Sequence, residues 1–279
     1  MWETTFRQRF PTHFRRSGWS IPARRHRARP ATPSRNGNRH AAANNRRFDG
    51  CKMIHYHGTP LTPRSELLKM AGKHFCVSFA NPADADWCLL NGQSVMWDNG
   101  AFSFRGKGGL DPKAFARWVE PRLGHPHWCV IPDVIDGTEE QQRALVTAWP
   151  HRRELSAPVW HMALSIDYLL ELADQFPRLC FGSTRQFWQV GSDLWSRRAD
   201  EAFNALARRG PLPWVHMLRG LALCGDKWPF ASADSVNVAR NFKDGPTCPE
   251  RMARRIDAVQ CPITWRIAPE QEDLFKCAV

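Results

Sequence analysis

From residue 53 onward the chain alternates short apolar runs with amphipathic stretches. The runs are "MIHYHG" (53–58), "HFCVSFA" (74–80), "SVMWDNG" (94–100), "HWCVIPDV" (127–134), "PVWHMA" (158–163), "RLCFGS" (178–183), "WVHMLRG" (214–220) and "FASADS" (230–235). Runs of this length, flanked by turn residues, read as buried strands. Between them the pattern predicts helices over 62–71, 83–90, 111–122, 138–149, 165–175 and 191–209, with one more over 247–258 after the last run. "LDPKAFARWVEPRLG" puts Pro112 in its first turn and Phe115, Trp118, Val119 and Leu123 on one face, and "RADEAFNALARRG" ends on a C-cap glycine.

Apolar strands alternating with helices imply a parallel sheet covered on both faces, and eight such units match a (β/α)8 barrel over residues 53–279. An open doubly wound sheet would carry a glycine-rich phosphate loop after its first strand, and "HYHGTPLTP" is not one. A barrel gathers the C-terminal ends of its strands at one mouth. Here those ends carry His55, His57, Asp98, Asn99, Asp133, Asp136, His161, Ser183, Arg219 and Asp234.

Charge changes this picture at one end only. Residues 1–50 hold twelve Arg, no Lys and two acids, Glu3 and Asp49, which accounts for +10 of the chain's +12. The high isoelectric point therefore belongs to an arm, residues 1–52, whose Pro, Asn, Ser and Arg content and lack of apolar periodicity predict disorder. The arm reads equally as a device for nonspecific phosphate attraction or as an extension upstream of a natural start at Met53; a transit peptide fits the composition less well. The nine cysteines are odd in number, widely spaced and set mostly in apolar runs, with no C-x-x-C pair. Buried thiols of this kind point to a reducing, cytoplasmic setting. No stretch approaches the ~20 apolar residues of a membrane span.

The polar strand ends admit bland readings. "WDNGAFS" (97–103) has the composition of a tight turn, and Asp136–Gly137 could turn the chain ahead of a helix capped near Thr138. Asp133, directly after an apolar strand, is harder to dismiss. "HYHG" offers the H-x-H arrangement of metal-dependent barrel hydrolases, whose alternate residues point the same way. With His161, His216 and Asp234 it forms a rival constellation, although His216 falls early in its strand, too deep for the mouth if Arg219 ends that strand. Asp234 itself reads either as a reactive carboxylate at a strand end or as a turn or cap residue. Carboxylates converging at a barrel mouth suit chemistry at a sugar's anomeric carbon, where one attacks and another manages protons.

At "DNGAFS", "IPDV", "FGSTRQ", "HMLRG" and "SADSVNVARN", in that order, the chain resembles the guanine-to-deazaguanine transglycosylase superfamily. It is most similar to the "deoxypurine in DNA" protein A group of phages and bacteria, with its D-S-G-[GA]-F and S-A-D-S segments. The match covers about residues 53–245.

The resemblance implies a (β/α)8 barrel that needs no metal or organic cofactor and exchanges guanine for a 7-deazaguanine base, in a protein encoded by a phage or prophage. Asp234 matches the nucleophile that attacks C1′ and leaves a covalent glycosyl-enzyme. Asp98 matches the proton-transfer group, and Asp133 the acid that binds the N1 and 2-amino edge. Gly182 and Ser183 would bring backbone close to the flat base, and the target nucleotide would have to leave its stack.

The departures carry information of their own. His161 stands where the tRNA enzymes carry a base-reading Gln, and Asn99 and Ala101 replace Ser and Gly. The C-x-C-x-x-C zinc ligands of the tRNA enzymes are missing, and Cys248, Cys261 and Cys277 are too widely spaced to replace them. DNA therefore becomes the expected substrate ahead of tRNA, with accessory proteins that open the duplex as further candidate partners. Arg185, Arg219 and Arg240 are candidates for phosphate contacts, or else solvated rim charges. Two other classes compete: the metal-dependent hydrolase built on His55, His57, His161 and Asp234, and an inactive barrel that binds nucleic acid through its basic arm.

Overall fold

The computed structural model describes residues 52–105 and 108–267. Expectations about the arm up to residue 51, and about Cys277, lie outside these. The strands are β1 Ile54–Gly58, β2 His74–Ser78, β3 Ser94–Asp98, β4 Trp128–Val130, β5 Ser156–Ala157, β6 Val159–His161, β7 Arg178–Gly182, β8 Trp214–Met217 and β9 Ser232–Ser235. All pair in parallel, in the order β5-β4-β3-β2-β1-β9-β8-β7-β6.

The order begins and ends on β5 and β6, which are consecutive in the chain and separated only by Pro158. Proline has no N–H to give to a ladder, so one strand is divided in two at that residue. Its first half pairs with β4 and its second with β7. Ile131 N–H reaches the Ala157 carbonyl on one side, and Cys180 N–H reaches the Pro158 carbonyl on the other. The sheet is thus a nearly closed, all-parallel barrel of the TIM type. The eight apolar runs correspond to its strands, with the fifth counted twice because of Pro158.

Nine α-helices run outside the strands among the described residues: α1 Arg64–Leu68, α2 Ala85–Asn91, α3 Ala101–Phe104, α4 Pro112–Val119, α5 Glu139–Thr147, α6 Ile166–Gln175, α7 Asp193–Arg209, α8 Asn237–Asn241 and α9 Pro249–Asp257. Their starts follow local chemistry. Asp111 accepts from the backbone of Lys113 and Ala114, with Pro112 at the first helical position. Thr138 and Gln141 form a reciprocal capping box on α5, and Ser165 and Ser192 cap α6 and α7. The short α3 and α8 were not expected. Both begin just past a strand end, where turn residues mask helical periodicity. No helix among the described residues is long and apolar enough to cross a membrane.

Strand register sorts the side chains. Partnered residues on adjacent strands share a face, so Tyr56↔Asp234, His216↔Ser232, Cys180↔His216 and Met96↔Trp128 all point the same way. That way is inward: Tyr56, Cys76, Met96, Trp128, Val130, Ala157, Val159 and Cys180 pack together inside the barrel. The alternate residues pack against the helices in two outer clusters. One is built around Phe75, Trp97, Phe115 and Val119, the other around Trp160, Leu169, Trp195, Phe203 and Phe230. Fully burying each of these large side chains is worth about 1.5–3 kcal/mol, so the helical coat fixes where the strand ends lie.

Candidate active site at the barrel mouth

Below the mouth the barrel is filled by aromatic rings and hydroxyls. Trp128 Nε1 donates to the Tyr56 hydroxyl at 2.8 Å, Ser94 donates to the same oxygen at 3.3 Å, and His74 Nδ1 lies 2.7 Å from Ser94 Oγ. Tyr56, Trp128 and His216 meet edge to face. Arg178 lies near the opposite end, its guanidinium 4.7 Å from the Trp128 ring and 5.1 Å from the Trp214 ring. Burial pushes the His74 imidazole down to about 4 and the Tyr56 phenol up, so both are neutral at ordinary pH. Nearer the mouth, burial first and then the carboxylates Asp98 and Asp234 push the Cys76 and Cys180 thiols well above their ordinary range, with Asp133 adding to the effect at Cys180. These groups of the floor are therefore uncharged, and the charged Arg178 lies at the far end of the barrel.

Three carboxylates stand above this floor. Asp98 ends β3 facing inward beside Ser78. Burial is the main force that raises its carboxyl, to about 6, and the negative charges of Asp234 and Asp133 add to it; bonds from Ser78 and the Gly100 N–H oppose the rise. The Gly100 bond, 3.2 Å to Oδ2, is the turn contact expected of "DNG", so Asp98 both forms the turn and faces the site.

Asp133 lies three residues past β4. Asn99 Nδ2 donates to its Oδ1 at 2.8 Å and also to the Ile131 carbonyl, while Asn99 Oδ1 accepts from Ala101 N–H. Asn99 is thus the residue that positions Asp133. On the other side His161 Nε2 approaches Asp133 Oδ2 to 2.9 Å, within ion-pair distance but off the direction of a hydrogen bond. His161 is 4% exposed. Gly182 leaves room for its ring: a Cβ there would come within 3.0 Å of His161 Nδ1.

Asp234 ends the inward face of β9, opposite Tyr56 on β1. Its Oδ1 accepts the Arg219 backbone N–H at 2.7 Å and lies 3.3 Å from His216 Nε2. The turn after β8 aims that N–H: Gly220 N–H closes on the Met217 carbonyl, and Arg219 is held at φ 56°. Left-handed backbone costs a non-glycine residue about 1 kcal/mol or more. Glycine is required at 220, where a Cβ would sit 2.3 Å from the Met217 side chain. The N-cap of α8 is Val236, and the nearby turn bond at its start is made by Ser235, whose hydroxyl accepts from Asn237 N–H. Asp234 has no part in it.

The remaining expected residues fall into three groups. Ser183 turns outward and accepts from Trp195 Nε1, which makes it a strand-to-helix contact. Arg185, at φ 48°, donates to the Asp136 carbonyl, and Arg105 pairs with the Asp136 carboxylate. Asp136, at φ 61°, is thus a turn residue that ties the rim. Arg219 lays its guanidinium 4.2 Å from the centre of the exposed Phe102 ring, and Arg240 is exposed on α8.

His55 and His57 overturn the H-x-H expectation. They do point the same way, but outward. His55 Nε2 lies 3.1 Å from Cys224 Sγ, and His57 Nε2 lies 2.9 Å from Asp257 Oδ1 on α9, where Lys73 also pairs. They share no face with His161 or Asp234, and among the described residues no group of three His, Cys, Asp or Glu side chains is placed to hold a metal ion.

His216 overturns the depth argument made for it from the sequence. It is fully buried yet touches Asp234, because both residues face inward on neighbouring strands. No family model, curated protein or solved structure matches the chain.

Proposed function

We propose that the barrel mouth exchanges guanine for a 7-deazaguanine base in DNA through a covalent glycosyl-aspartate. The observation that carries the reading is the pairing of two unequal carboxylates. Asp234 is anchored through Oδ1 by two donors, while Asp98 is raised to about 6 by burial and by its acidic neighbours. A buried carboxyl of raised proton affinity can serve as the acid–base group beside a carboxylate held in place to attack.

In the first half-reaction an Asp234 oxygen attacks C1′ and the C1′–N9 bond breaks. Its electron pair goes to the departing guanine, which takes a proton from neutral Asp98. In the second, ionised Asp98 accepts the N9 proton of the incoming base, that nitrogen attacks C1′, and the C1′–O bond breaks to return the Asp234 carboxylate. Two inversions give net retention. Asp133, steadied by Asn99 and adjoined by His161, complements the N1–H and 2-amino donors of guanine. Arg219, Arg240 and the Arg105–Asp136–Arg185 network make the rim basic enough for a polynucleotide backbone.

The test is nucleoside mass spectrometry of DNA and tRNA from cells that express the protein and are supplied with a deazaguanine, together with covalent trapping on guanine-containing DNA. The wild type should modify DNA and form the adduct, and Asp234→Ala should do neither. Modified tRNA with unmodified DNA would reassign the substrate. Undiminished exchange by Asp234→Ala would sink the mechanism.

A further inference from the structure

Beneath Asp234 a line of polar groups runs down the inside of the barrel, and its chemistry fixes which way each proton points. Trp214 Nε1 lies 2.9 Å from Ser232 Oγ, Ser232 Oγ lies 2.8 Å from His216 Nδ1, and His216 Nε2 lies 3.3 Å from Asp234 Oδ1. Ser232 and His216 are both fully buried, so water does not compete for these bonds.

An indole N–H can only donate. Ser232 Oγ therefore accepts from Trp214, and its own hydrogen is left for His216 Nδ1, the other polar group it contacts. A ring nitrogen that accepts is unprotonated, which puts the imidazole hydrogen on Nε2, facing the carboxylate. The reverse tautomer would leave the Ser232 hydrogen without its acceptor and set a nitrogen lone pair against Asp234. The Arg219 N–H donates to the same Oδ1.

We infer that Trp214, Ser232 and His216 form a one-way donor chain that locks His216 as the Nε2–H tautomer, so that Oδ1 of Asp234 is fully engaged and Oδ2 is the oxygen that attacks. His216 is a positioning residue that acts through Asp234. The assignment of Oδ2 as nucleophile rests on the base-exchange reading; the tautomer does not.

The test begins with the ring nitrogens of His216 in the full-length, nitrogen-15-labelled protein, assigned by their loss in His216→Gln. Nδ1 should resonate as an unprotonated nitrogen and Nε2 as a protonated one, and Ser232→Ala should mix in the other tautomer. An Nδ1–H tautomer or an imidazolium in the wild type, or an unchanged tautomer in Ser232→Ala, overturns the chain.

In the trapping assay, His216→Leu should slow adduct formation by about 100-fold, the usual loss when a reacting group is displaced by about 1 Å. His216→Gln, which keeps an N–H within reach of Oδ1, should recover to within about tenfold of the wild type by the same scale. A His216→Gln as slow as His216→Leu, or a His216→Leu as fast as the wild type, overturns the positioning role. If instead Asp234→Ala still forms the adduct, the base-exchange reading fails while the nitrogen spectra continue to decide the proton arrangement.

Discussion

Two pairs of a histidine and an aspartate lie close together on this barrel and differ by one step of strand parity. On β1, His57 points outward and meets Asp257 of α9; on β8 and β9, His216 and Asp234 point inward and meet at the mouth. The outer pair fastens a helix, with Lys73 joining from the start of β2. The inner pair belongs to a cluster of three carboxylates. A histidine's chemical type therefore says little about its role until the face of its strand is known, because successive residues serve opposite sides of the sheet.

Removing the two carboxylates should break the comparison most sharply. Asp234→Ala is expected to lower base exchange by about 10⁴-fold or more, the loss typical of a deleted nucleophile. Asp257→Ala leaves the buried His57 and the amine of Lys73 without their shared acceptor, which costs about 1–3 kcal/mol of stability. Exchange per folded molecule should stay within about threefold, well under 1.4 kcal/mol of barrier. Urea denaturation beside the trapping assay separates the two outcomes. A loss of activity by Asp257→Ala at full folding would mean that the outer pair reaches the site.

The pH dependence of stability should differ in sign between the regions. Burial pushes the Asp257 carboxyl up, but hydrogen bonds and attraction from His57 and Lys73 outweigh it and hold the group below its ordinary value. Its stabilising effect is therefore present above the unfolded pKa of 3.8 and is lost as pH falls through the lower folded value. Asp98 is raised to about 6, so its favourable share is complete below 3.8 and is lost as pH rises through 6. Asp98→Asn should consequently stabilise the protein by about 1–3 kcal/mol at pH 8 and leave it unchanged at pH 3, whereas Asp257→Asn should destabilise it at pH 8 by an amount that shrinks as pH falls below 3.8. Thermal denaturation across this range checks both. In the wild type, kcat/KM should carry a limb near pH 6 that moves to lower pH in Asp133→Asn, because Asp133 is one of the charges that raise Asp98.

Much of the fold was legible because its signals are local. Apolar runs mark buried strands, "LDP" and "DGTEEQ" mark helix starts, and their alternation leaves few topologies. Pro158 hid the pairing of the fifth strand, since a ladder broken by a missing N–H has no counterpart in hydropathy. At the site, Asp98, Asp133, His161, Gly182 and Asp234 could be named because each directly follows an apolar run or lies at its end. His216 was set aside as too deep, although its spacing from Arg219 measures only height along one strand. Its contact with Asp234 depends on register between strands, as do the outward faces of His55 and His57. The link between Asn99 and Asp133 crosses from one strand end to the next, and no single stretch encodes it.

The smallest expected effect concerns Gly182, where backbone lies against the inward ring of His161. A Cβ at this position would meet His161 Nδ1 at 3.0 Å and Val159 Cγ1 at 3.1 Å, so Gly182→Ala requires the imidazole to give way by a few tenths of an ångström. That movement disturbs the 2.9 Å approach of His161 to Asp133, the edge proposed to receive the base, and leaves the anchoring of Asp234 untouched. The expected result is a rise of about fivefold in KM for the incoming base, close to 1 kcal/mol of binding, with kcat nearly constant. His161→Ala combined with Gly182→Ala should show no further loss, because the alanine acts only through the ring it displaces. An additional drop in the double variant, or a fall in kcat in Gly182→Ala alone, would move His161 from reading the base to taking part in the bond-breaking step.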